Sequence, residues 1–234
     1  KILMVHPHDL CYDPWTIRLL ELARGVQAAG NTVTLCHLPR KDRPGHAPLR
    51  TLRDNGPQVH ALLPRQHHLA RNYQTLHRLA QDCDLIHLQK CFASVSLPVL
   101  WIARLLNLPL HYDWDDDETA IAQYVEKRKL ARYQLAVYER NIPHFCSSLS
   151  YSSQALRKKA LAAGVPQNRM VHIPVGADLN RFSPHQLPKA AYHEWGLDPE
   201  KLTILYLGQL EGAAHAGRLV EAAPSVYKKN PNCQ

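Results

Sequence analysis

Short apolar segments alternate with longer amphipathic segments along most of the chain. The first apolar segment is Ile2–Val5, and the amphipathic segment behind it begins at Asp13 and Pro14 and stops at Gly30. Proline at the start and glycine just past the end are typical of helix boundaries. The further predicted strands are residues 32–38, 59–63, 84–88, 108–112, 148–151 and 170–174, and the further predicted helices are residues 69–80, 95–106, 118–140 and 153–163.

Most of the predicted strands are apolar on both faces. Such strands, separated by helices, indicate a parallel sheet that helices cover on both sides. Right-handed crossover connections then make the sheet doubly wound. The pattern therefore predicts an α/β fold with a Rossmann-like, doubly wound parallel sheet.

The pattern changes after Phe182. The stretch SPHQLPKAAYHEWGLDPEK has three prolines and no strand pattern, which predicts a linker with at most one helix. A strand at residues 202–207 and a helix from Arg218 to about Asn230 then restart the α/β pattern. One strand and one helix do not bury each other's apolar faces, so we expect the first unit of a second, incomplete Rossmann-like domain. The predicted divisions are a first domain at 1–183, a linker at 184–200 and the start of a second domain at 201–234.

Composition narrows the class of protein. Of the 234 residues, 45% are hydrophobic, which is enough for a buried core. The apolar runs are far shorter than the roughly 18 residues that span a bilayer. Six cysteines are scattered without a C-x-x-C pair, which favours reduced thiols over disulfides or zinc. These features predict a globular protein of the cytoplasm.

The net charge of +8 is concentrated in one part of the chain. Between Arg40 and Arg78 there are eight Arg or Lys residues against only Asp42 and Asp54. Such a segment is either a solvated polar surface or a surface that attracts phosphate-rich partners, of which an anionic membrane surface is the first candidate. No nucleic-acid-binding motif accompanies the charge, so nucleic acid is not predicted as a partner.

One segment carries a family resemblance. Residues 148–184 read SLSYSSQALRKKALAAGVPQNRMVHIPVGADLNRFSP, which resembles the interdomain end of the first domain in family 4 glycosyltransferases of the GT-B fold. Residues 205–222 resemble the opening of that family's second, nucleotide-binding domain. The matching motif positions are Pro174, Gly176, Asp178, Phe182 and Pro184.

The resemblance implies a retaining transferase that moves a sugar from a nucleotide-diphosphate donor to an acceptor hydroxyl of a glycan or lipid-linked glycan. It implies no metal and no cofactor, since the nucleotide sugar is a substrate. Donor contacts are implied at Gly208, Gln209 and Gly212. The family's usual Arg and Lys are here Gln209 and Ala214, and its two donor-binding glutamates would follow Gln234. The 234-residue chain alone is therefore expected to be inactive.

The segment HYDWDDDET, residues 111–119, places four carboxylates in five consecutive positions after a predicted strand. Three interpretations remain open. Asp113 and Asp115 are candidate catalytic residues, and Asp116 is a candidate substrate ligand, because carboxylates can bind sugar hydroxyls or stabilise oxocarbenium-like charge. Alternatively, Asp115 to Glu118 cap the next helix. The third possibility is a metal-dependent transferase, in which the Asp-x-Asp pair holds a divalent ion.

Two other strand ends carry candidate substrate ligands. The loop after the first strand reads HPHDLCYDPW, in which His8 and Asp9 either contact substrate or cap the following helix. Lys90 directly follows the strand DLIHLQ and is a candidate to neutralise a phosphate, to pair with the aspartates or to remain in solvent. A different functional class, a non-catalytic membrane-peripheral module that binds anions through Arg40–Arg78, also fits the charge pattern.

Overall fold

The structure is a computed structural model that describes residues 1–39, 56–64, 68–180, 182–183, 188–207 and 215–234. The chain forms two compact units, Lys1–Gly176 and Ala177–Gln234. The domain and linker boundaries at 183 and 200 remain predictions. No helix in the described ranges combines the length and the apolar content needed to cross a membrane.

A seven-stranded, wholly parallel sheet forms the centre of the first unit. Its spatial order is β3-β2-β1-β4-β5-β6-β7, which confirms the predicted doubly wound, Rossmann-like α/β fold. The strands are β1 Ile2–His6, β2 Val33–His37, β3 Gln58–Ala61, β4 Leu85–Gln89, β5 Leu110–Trp114, β6 Ser148–Tyr151 and β7 Met170–His172.

Helices connect the strands at the positions that apolar periodicity predicts, with one exception. A short 3-10 turn at Pro14–Thr16 leads into the first helix. The helices of this unit are α1 Ile17–Ala28, α2 Leu69–Ala80, α3 Ala93–Leu105, α4 Glu118–Val125, α5 Lys129–Phe145 and α6 Gln154–Ala162.

The exception is the long helix predicted at residues 118–140, which is wrong. The backbone is extended at Glu126 and at Arg128, so α4 and α5 are separate helices. The Glu126 carboxylate accepts hydrogen bonds from the Arg128 backbone N–H at 2.9 Å and from its Nη2 at 3.0 Å. This local pairing stabilises a break that helical periodicity does not reveal, because the charged residues on both sides are good helix formers.

The two faces of the sheet differ in polarity. One face is apolar along its length and packs the larger core, which includes Ile86, Leu88 and Tyr112. The opposite face packs Met4 and Leu35 against α1. Farther along that second face, the alternation of side chains brings polar residues into line on β4, β5 and β6. These residues are His87, Gln89, His111, Asp113, Ser148 and Ser150.

The strand order reverses between β1 and β4. From β1 the chain builds β2 and β3 on one side, and it then crosses to place β4 against the other edge of β1. Ligands of open α/β sheets bind at such a switch point, beyond the carboxyl ends of the strands. We therefore expect a ligand-binding site at the loops after β1, β4 and β5.

The second unit contains α7 Lys189–Glu194 and α8 His215–Lys229. The strand predicted at residues 202–207 is wrong for the described residues, where only an isolated bridge pairs Leu202 with Cys233. Leu205 is 79% exposed and Leu207 is 92% exposed. An apolar run becomes a strand only when neighbouring strands pair with it and a second layer covers it, and these leucines have neither.

Candidate active site

Asp113 lies at the end of β5 and is fully buried. The Arg18 guanidinium donates from Nε to Asp113 Oδ2 at 2.8 Å and from Nη2 to Oδ1 at 2.9 Å. Ser150 Oγ and Gln89 Nε2 donate to the same carboxylate at 2.5 and 3.1 Å. Burial raises the pKa of Asp113, but the hydrogen bonds and charge of Arg18 outweigh it and keep the pKa below its usual value. Asp113 is therefore a structural anion.

Arg18 also connects α1 to the last strand. Its Nη2 donates to the Ile173 carbonyl at 2.8 Å and its Nη1 to the Pro174 carbonyl at 3.0 Å. The bidentate ion pair and these two carbonyl contacts use most of the guanidinium donors. Arg18 thereby holds the chain beyond β7 against the same polar face that carries Asp113.

Lys90 follows β4 with a φ of 70°, which is unusual for a residue with a side chain. Its side chain is 3% exposed, and its Nζ lies 3.2 Å from Asp115 Oδ1 and 2.7 Å from Glu118 Oε1. Asp116 Oδ2 is a third partner of the same ammonium. Burial opposes the charge of Lys90, but Asp115, Glu118 and Asp116 raise its pKa above the ordinary value. The strained backbone turns the lysine toward these carboxylates.

The Asp115 carboxyl group has a raised pKa. Its side chain is 8% exposed, and its Oδ2 accepts a hydrogen bond from Gln89 Nε2 at 3.0 Å. Burial raises the pKa of Asp115 to about 7, even though Lys90 opposes the shift, and Asp116 and Asp113 add to it. The carboxyl group therefore changes between its acid and carboxylate forms near neutral pH, which suits proton exchange with a hydroxyl.

We call Asp115, Asp116 and Glu118 the acidic cluster. Among the described residues it is the one group of His, Cys, Asp or Glu side chains close enough to share a metal ion. The Lys90 ammonium already contacts all three carboxylates. Asp113 belongs instead to the Arg18 ion pair, so the structure does not present Asp113 and Asp115 as one pair of metal ligands.

The aspartate that caps α4 is Asp117, and not Asp115 or Asp116, the candidate catalytic and substrate-binding residues. Asp117 is the N-cap residue of α4, and its Oδ1 accepts a hydrogen bond from the Ala120 backbone N–H at 2.9 Å. Lys159 Nζ lies 2.6 Å from the same oxygen. Asp115 and Asp116 face Lys90 rather than the helix N-terminus, so capping does not explain them.

A second carboxylate at the start of α4 comes from α5. Glu139 is 2% exposed, and its Oε1 accepts from the Trp114 indole Nε1 at 3.1 Å and from the Glu118 backbone N–H at 2.8 Å. Its Oε2 accepts from the Thr119 backbone N–H at 3.0 Å and also from the Thr119 hydroxyl. Glu139 thus satisfies N–H groups that a helix start leaves without partners, and it ties β5, α4 and α5 together.

The loop after β1 is less open than the sequence suggests. Asp9 is 2% exposed and its Oδ1 accepts from the Cys11 backbone N–H at 2.8 Å, so its carboxylate stabilises the loop itself. The partly buried His8 ring packs edge-on against Trp15 and Phe92. His6 Nε2 and Gln89 Oε1 are also buried, and they have no hydrogen-bond partner among the described residues.

The predicted donor-binding residues Gly208, Gln209 and Gly212 lie outside the described residues, as does Ala214. Six of the eight basic residues of the predicted anionic-membrane contact, Arg40–Arg78, also lie outside them, within residues 40–55 and 65–67. Arg71 and Arg78 are described and exposed. These assignments therefore remain predictions.

Most of the first unit matches a known protein family. The sequence profile described as a glycosyl transferase 4-like domain matches residues 16–176, which contain all of the residues around Lys90 and Asp113. The chain belongs to this family. The match confirms the resemblance that the segment at 148–184 carries, and it covers both ends of the Arg18–Asp113 ion pair.

Solved structures with the fold of this glycosyl transferase 4-like chain have low sequence identity to it. The structure of HepE from Anabaena in complex with UDP and glucose is 16% identical, has a TM-score of 0.68, and is matched over 100% of this chain and 59% of that chain. WaaG, a glycosyltransferase involved in lipopolysaccharide biosynthesis, is 15% identical with a TM-score of 0.59 over 100% and 62% of the two chains. These matches establish the GT-B fold.

The fold alone does not distinguish transferases from other enzymes. A putative UDP-N-acetylglucosamine 2-epimerase from Listeria monocytogenes also matches, with 11% identity and a TM-score of 0.53 over 100% of this chain and 61% of that chain. No curated protein matches the sequence. The chain spans about three fifths of the length of the solved structures that it matches.

Two residues at the centre of this glycosyl transferase 4-like domain were missed from the sequence. Arg18 lies in the first turn of α1 and Glu139 lies in the middle of α5, where charged side chains are common on solvated faces. The available signal for Glu139 is its place in a helix that is otherwise rich in basic residues. Only the burial of their partners distinguishes them from surface charges.

We expect Glu139→Gln to destabilise the domain by about 2–3 kcal/mol, because the amide loses charge-assisted hydrogen bonds and presents its own N–H to other donors. Glu21→Gln is the matched control, since Glu21 is 54% exposed and its one ion-pair partner in the described part of the chain is the nearby Arg24. The control should change stability by less than about 0.5 kcal/mol. Urea denaturation followed by near-UV circular dichroism measures both, and equal effects would contradict the role given to Glu139.

Proposed function

We propose that the whole protein is a retaining glycosyltransferase that moves a sugar from a nucleotide-diphosphate donor to an acceptor hydroxyl in glycan or lipid-linked glycan synthesis. The observation that carries the proposal is the buried position of the Asp115 carboxyl group between Gln89 and Lys90 at the ends of β4 and β5, where burial raises its pKa to about 7. The family match supports transferase chemistry, and the place of Asp115 near the switch point supports a substrate contact.

In this proposal Asp115 is the catalytic residue and binds the acceptor. Its carboxylate form accepts a hydrogen bond from the reacting hydroxyl and takes that proton as the oxygen bonds to C1 of the sugar and the C1–O bond to the diphosphate breaks, which releases the nucleoside diphosphate. Retention requires the hydroxyl to attack from the face that the diphosphate leaves. Asp113 acts as a positioning residue rather than a catalytic one, because Gln89 Nε2 joins it to Asp115 with hydrogen bonds of 3.1 and 3.0 Å. Asp116, the more exposed acid with a side chain 46% exposed, is a second candidate for acceptor hydroxyls.

Lys90 supports a reaction without a metal ion in this part of the site. Its ammonium supplies the positive charge that the acidic cluster would otherwise take from a cation. Lys90 is therefore proposed to organise the acidic cluster, and His8 is the candidate in the β1 loop for contact with substrate.

The donor is proposed to be a nucleotide sugar, because HepE has been seen with UDP and with UDP-glucose. Backbone N–H groups near Gly208, Gln209 and Gly212 are the proposed diphosphate contacts. For the 234-residue chain by itself we expect no turnover, because it spans only about three fifths of the length of the solved structures that it matches. The six free cysteines favour a cytoplasmic site of action.

The proposal is tested by incubating the whole protein with UDP-glucose and other UDP-sugars, a panel of glycan and lipid-linked acceptors, and excess EDTA. We expect transfer that survives EDTA and a product whose anomeric proton coupling matches the configuration of the donor. Inverted product or a strict need for Mn²⁺ would contradict the mechanism. Interconversion of UDP-N-acetylhexosamines without transfer would favour an epimerase instead.

A further inference from the structure

A cavity of about 590 Å³, widely open to solvent, lies between α4 and α5. It is lined by Thr119, Gln123 and Tyr124 of α4 and by Arg132 and Tyr133 of α5. Its lining combines aromatic rings with a few polar groups, and because it is open, a ligand would be covered on one side only. The network that explains Asp113, Asp115 and Lys90 uses none of these side chains.

The cavity is adjacent in the chain to the acidic cluster. Thr119 follows Glu118, whose Oε1 lies 2.7 Å from Lys90 Nζ. Glu139 fixes both residues through their backbone N–H groups, so the edge of the cavity and the acidic cluster are held by one buried carboxylate. The acidic cluster and the cavity therefore both include residues of the first turn of α4.

Two tyrosines give the cavity a surface suited to sugar rings. Tyr124 is 73% exposed and Tyr133 is 68% exposed, so their aromatic faces are open to solvent. A sugar ring has an apolar face of C–H groups and a rim of hydroxyls, which matches the apolar body and polar tip of tyrosine. Gln123 adds a side-chain amide that can both donate and accept hydrogen bonds.

Arg132 makes the cavity selective for charge. It is partly buried, and no carboxylate among the described residues lies within ion-pair distance of it. Glu126 is held by Arg128 at 3.0 Å, and hydrogen bonds from Arg128, helped by the charges of Arg128 and Arg132, lower the pKa of Glu126 to about 2. A guanidinium with free donors matches the oxygens of a phosphate or carboxylate.

The surroundings reinforce this preference. Lys127 and Lys129 are exposed and form no ion pair within the described part of the chain, and α5 begins at Lys129, so its positive dipole end lies beside the cavity. The acidic cluster, in contrast, has three carboxylates around the single Lys90 ammonium. An anionic group is therefore repelled from the acidic cluster and attracted to Arg132.

We propose that the α4–α5 cavity binds an anionic saccharide, with a sugar ring on Tyr124 and Tyr133 and its phosphate or carboxylate on Arg132. This inference rests on the proposed function, because it names the class of acceptor that the enzyme uses. The neutral end of the acceptor, with its reacting hydroxyl, lies toward Asp115. The cavity thereby orients the acceptor by charge before the reaction.

The test measures binding to the 234-residue chain by calorimetry, with glucose 6-phosphate as the anionic probe and glucose as the neutral probe. Glucose 6-phosphate should bind at least about tenfold more tightly than glucose, and Arg132→Gln should weaken it by about tenfold or more. The affinity of Arg132→Lys for glucose 6-phosphate should lie between those of the unmodified chain and Arg132→Gln, since lysine keeps the positive charge but lacks the planar guanidinium. Arg140→Gln, an exposed arginine of the same helix, is the matched control and should leave binding unchanged.

The role of the tyrosines has its own readout. Tyr124→Ala and Tyr133→Ala should weaken glucose 6-phosphate more than inorganic phosphate, because only the sugar contacts the rings. Equal binding of inorganic phosphate and glucose 6-phosphate would overturn the proposal and leave a simple anion site. Insensitivity to Arg132→Gln would also overturn it.

Anionic lipid is the competing explanation, and vesicles of phosphatidylglycerol distinguish it. If vesicles bind through Arg132 while glucose 6-phosphate does not, the cavity serves a lipid surface and the proposal fails. These measurements need no turnover. If the whole protein transfers sugar but the 234-residue chain does not bind sugar phosphates, only this inference is overturned. If the chain binds glucose 6-phosphate but the whole protein transfers no sugar, only the proposed function is overturned.

Discussion

Asp115→Asn in the whole protein should lower turnover by about 100-fold or more, because it removes the carboxylate that is proposed to accept the proton of the acceptor hydroxyl. Its effect on folding should stay within about 1 kcal/mol, since the change removes a desolvated charge while Lys90 keeps Asp116 and Glu118 as partners. Turnover is measured with saturating donor, and stability is measured by urea denaturation of the same preparation. Asp82→Asn, at an exposed position, is the control for both.

The pH profile separates a proton-transfer role from a purely structural one. Because the pKa of Asp115 is raised to about 7, the active carboxylate form increases as pH rises from 6 to 8, and turnover should rise with it. In Asp115→Asn this rise should disappear. A variant that loses turnover and stability in parallel, with an unchanged pH profile, would assign Asp115 to folding instead of chemistry.

Lys90→Met should be the most destabilising of the substitutions considered, by about 3–5 kcal/mol at neutral pH. Methionine fills a similar volume, but it leaves three carboxylates around a buried position without their shared cation. Lys158→Met, on the exposed side of α6, is the control and should have little effect. Urea denaturation compares the free energy of unfolding of the two variants with that of the unmodified chain.

The sign of the pH dependence follows from the same charges. Without Lys90, the folded-state pKa values of Asp115 and Glu118 rise further above their unfolded values, so the folded state binds protons that the unfolded state releases. Stability is then retained at low pH and lost as pH rises through the folded pKa values. The deficit of Lys90→Met should be smaller at pH 5 than at pH 8. A deficit that is independent of pH would attribute the effect to packing alone.

Local patterns predicted the fold of the first unit well. The helix at 69–80 and the strand at 148–151 have the bounds that the sequence indicates, because apolar periodicity reflects burial on a nearby sheet. The two failures have physical causes. Residues 126–128 break a helix through a pairing between Glu126 and Arg128, and residues 202–207 lack the partner strands that would extend them.

The sequence indicated which residues belong to the candidate site more often than it indicated what each of them does. The sequence placed Asp113, Asp115 and Lys90 near one another, since carboxyl ends of parallel strands meet at one edge of a sheet. It did not separate Asp113, which is buried against Arg18, from Asp115, whose carboxyl group lies beside Gln89 and Lys90. Two positions apart in the chain, they differ because one has a buried guanidinium partner and the other lies among carboxylates.

The sequence by itself determined the alternation of strands and helices, the family and the cluster of acids after β5, because each of these depends on residues that are close to one another in the chain. Only the tertiary structure decided what each charge does. Arg18 meets Asp113 across a separation of 95 residues, and Lys90 reaches the acidic cluster through a left-handed backbone turn. A charge acquires its role from burial and from its partners, and the order of the strands in the sheet brings those partners together.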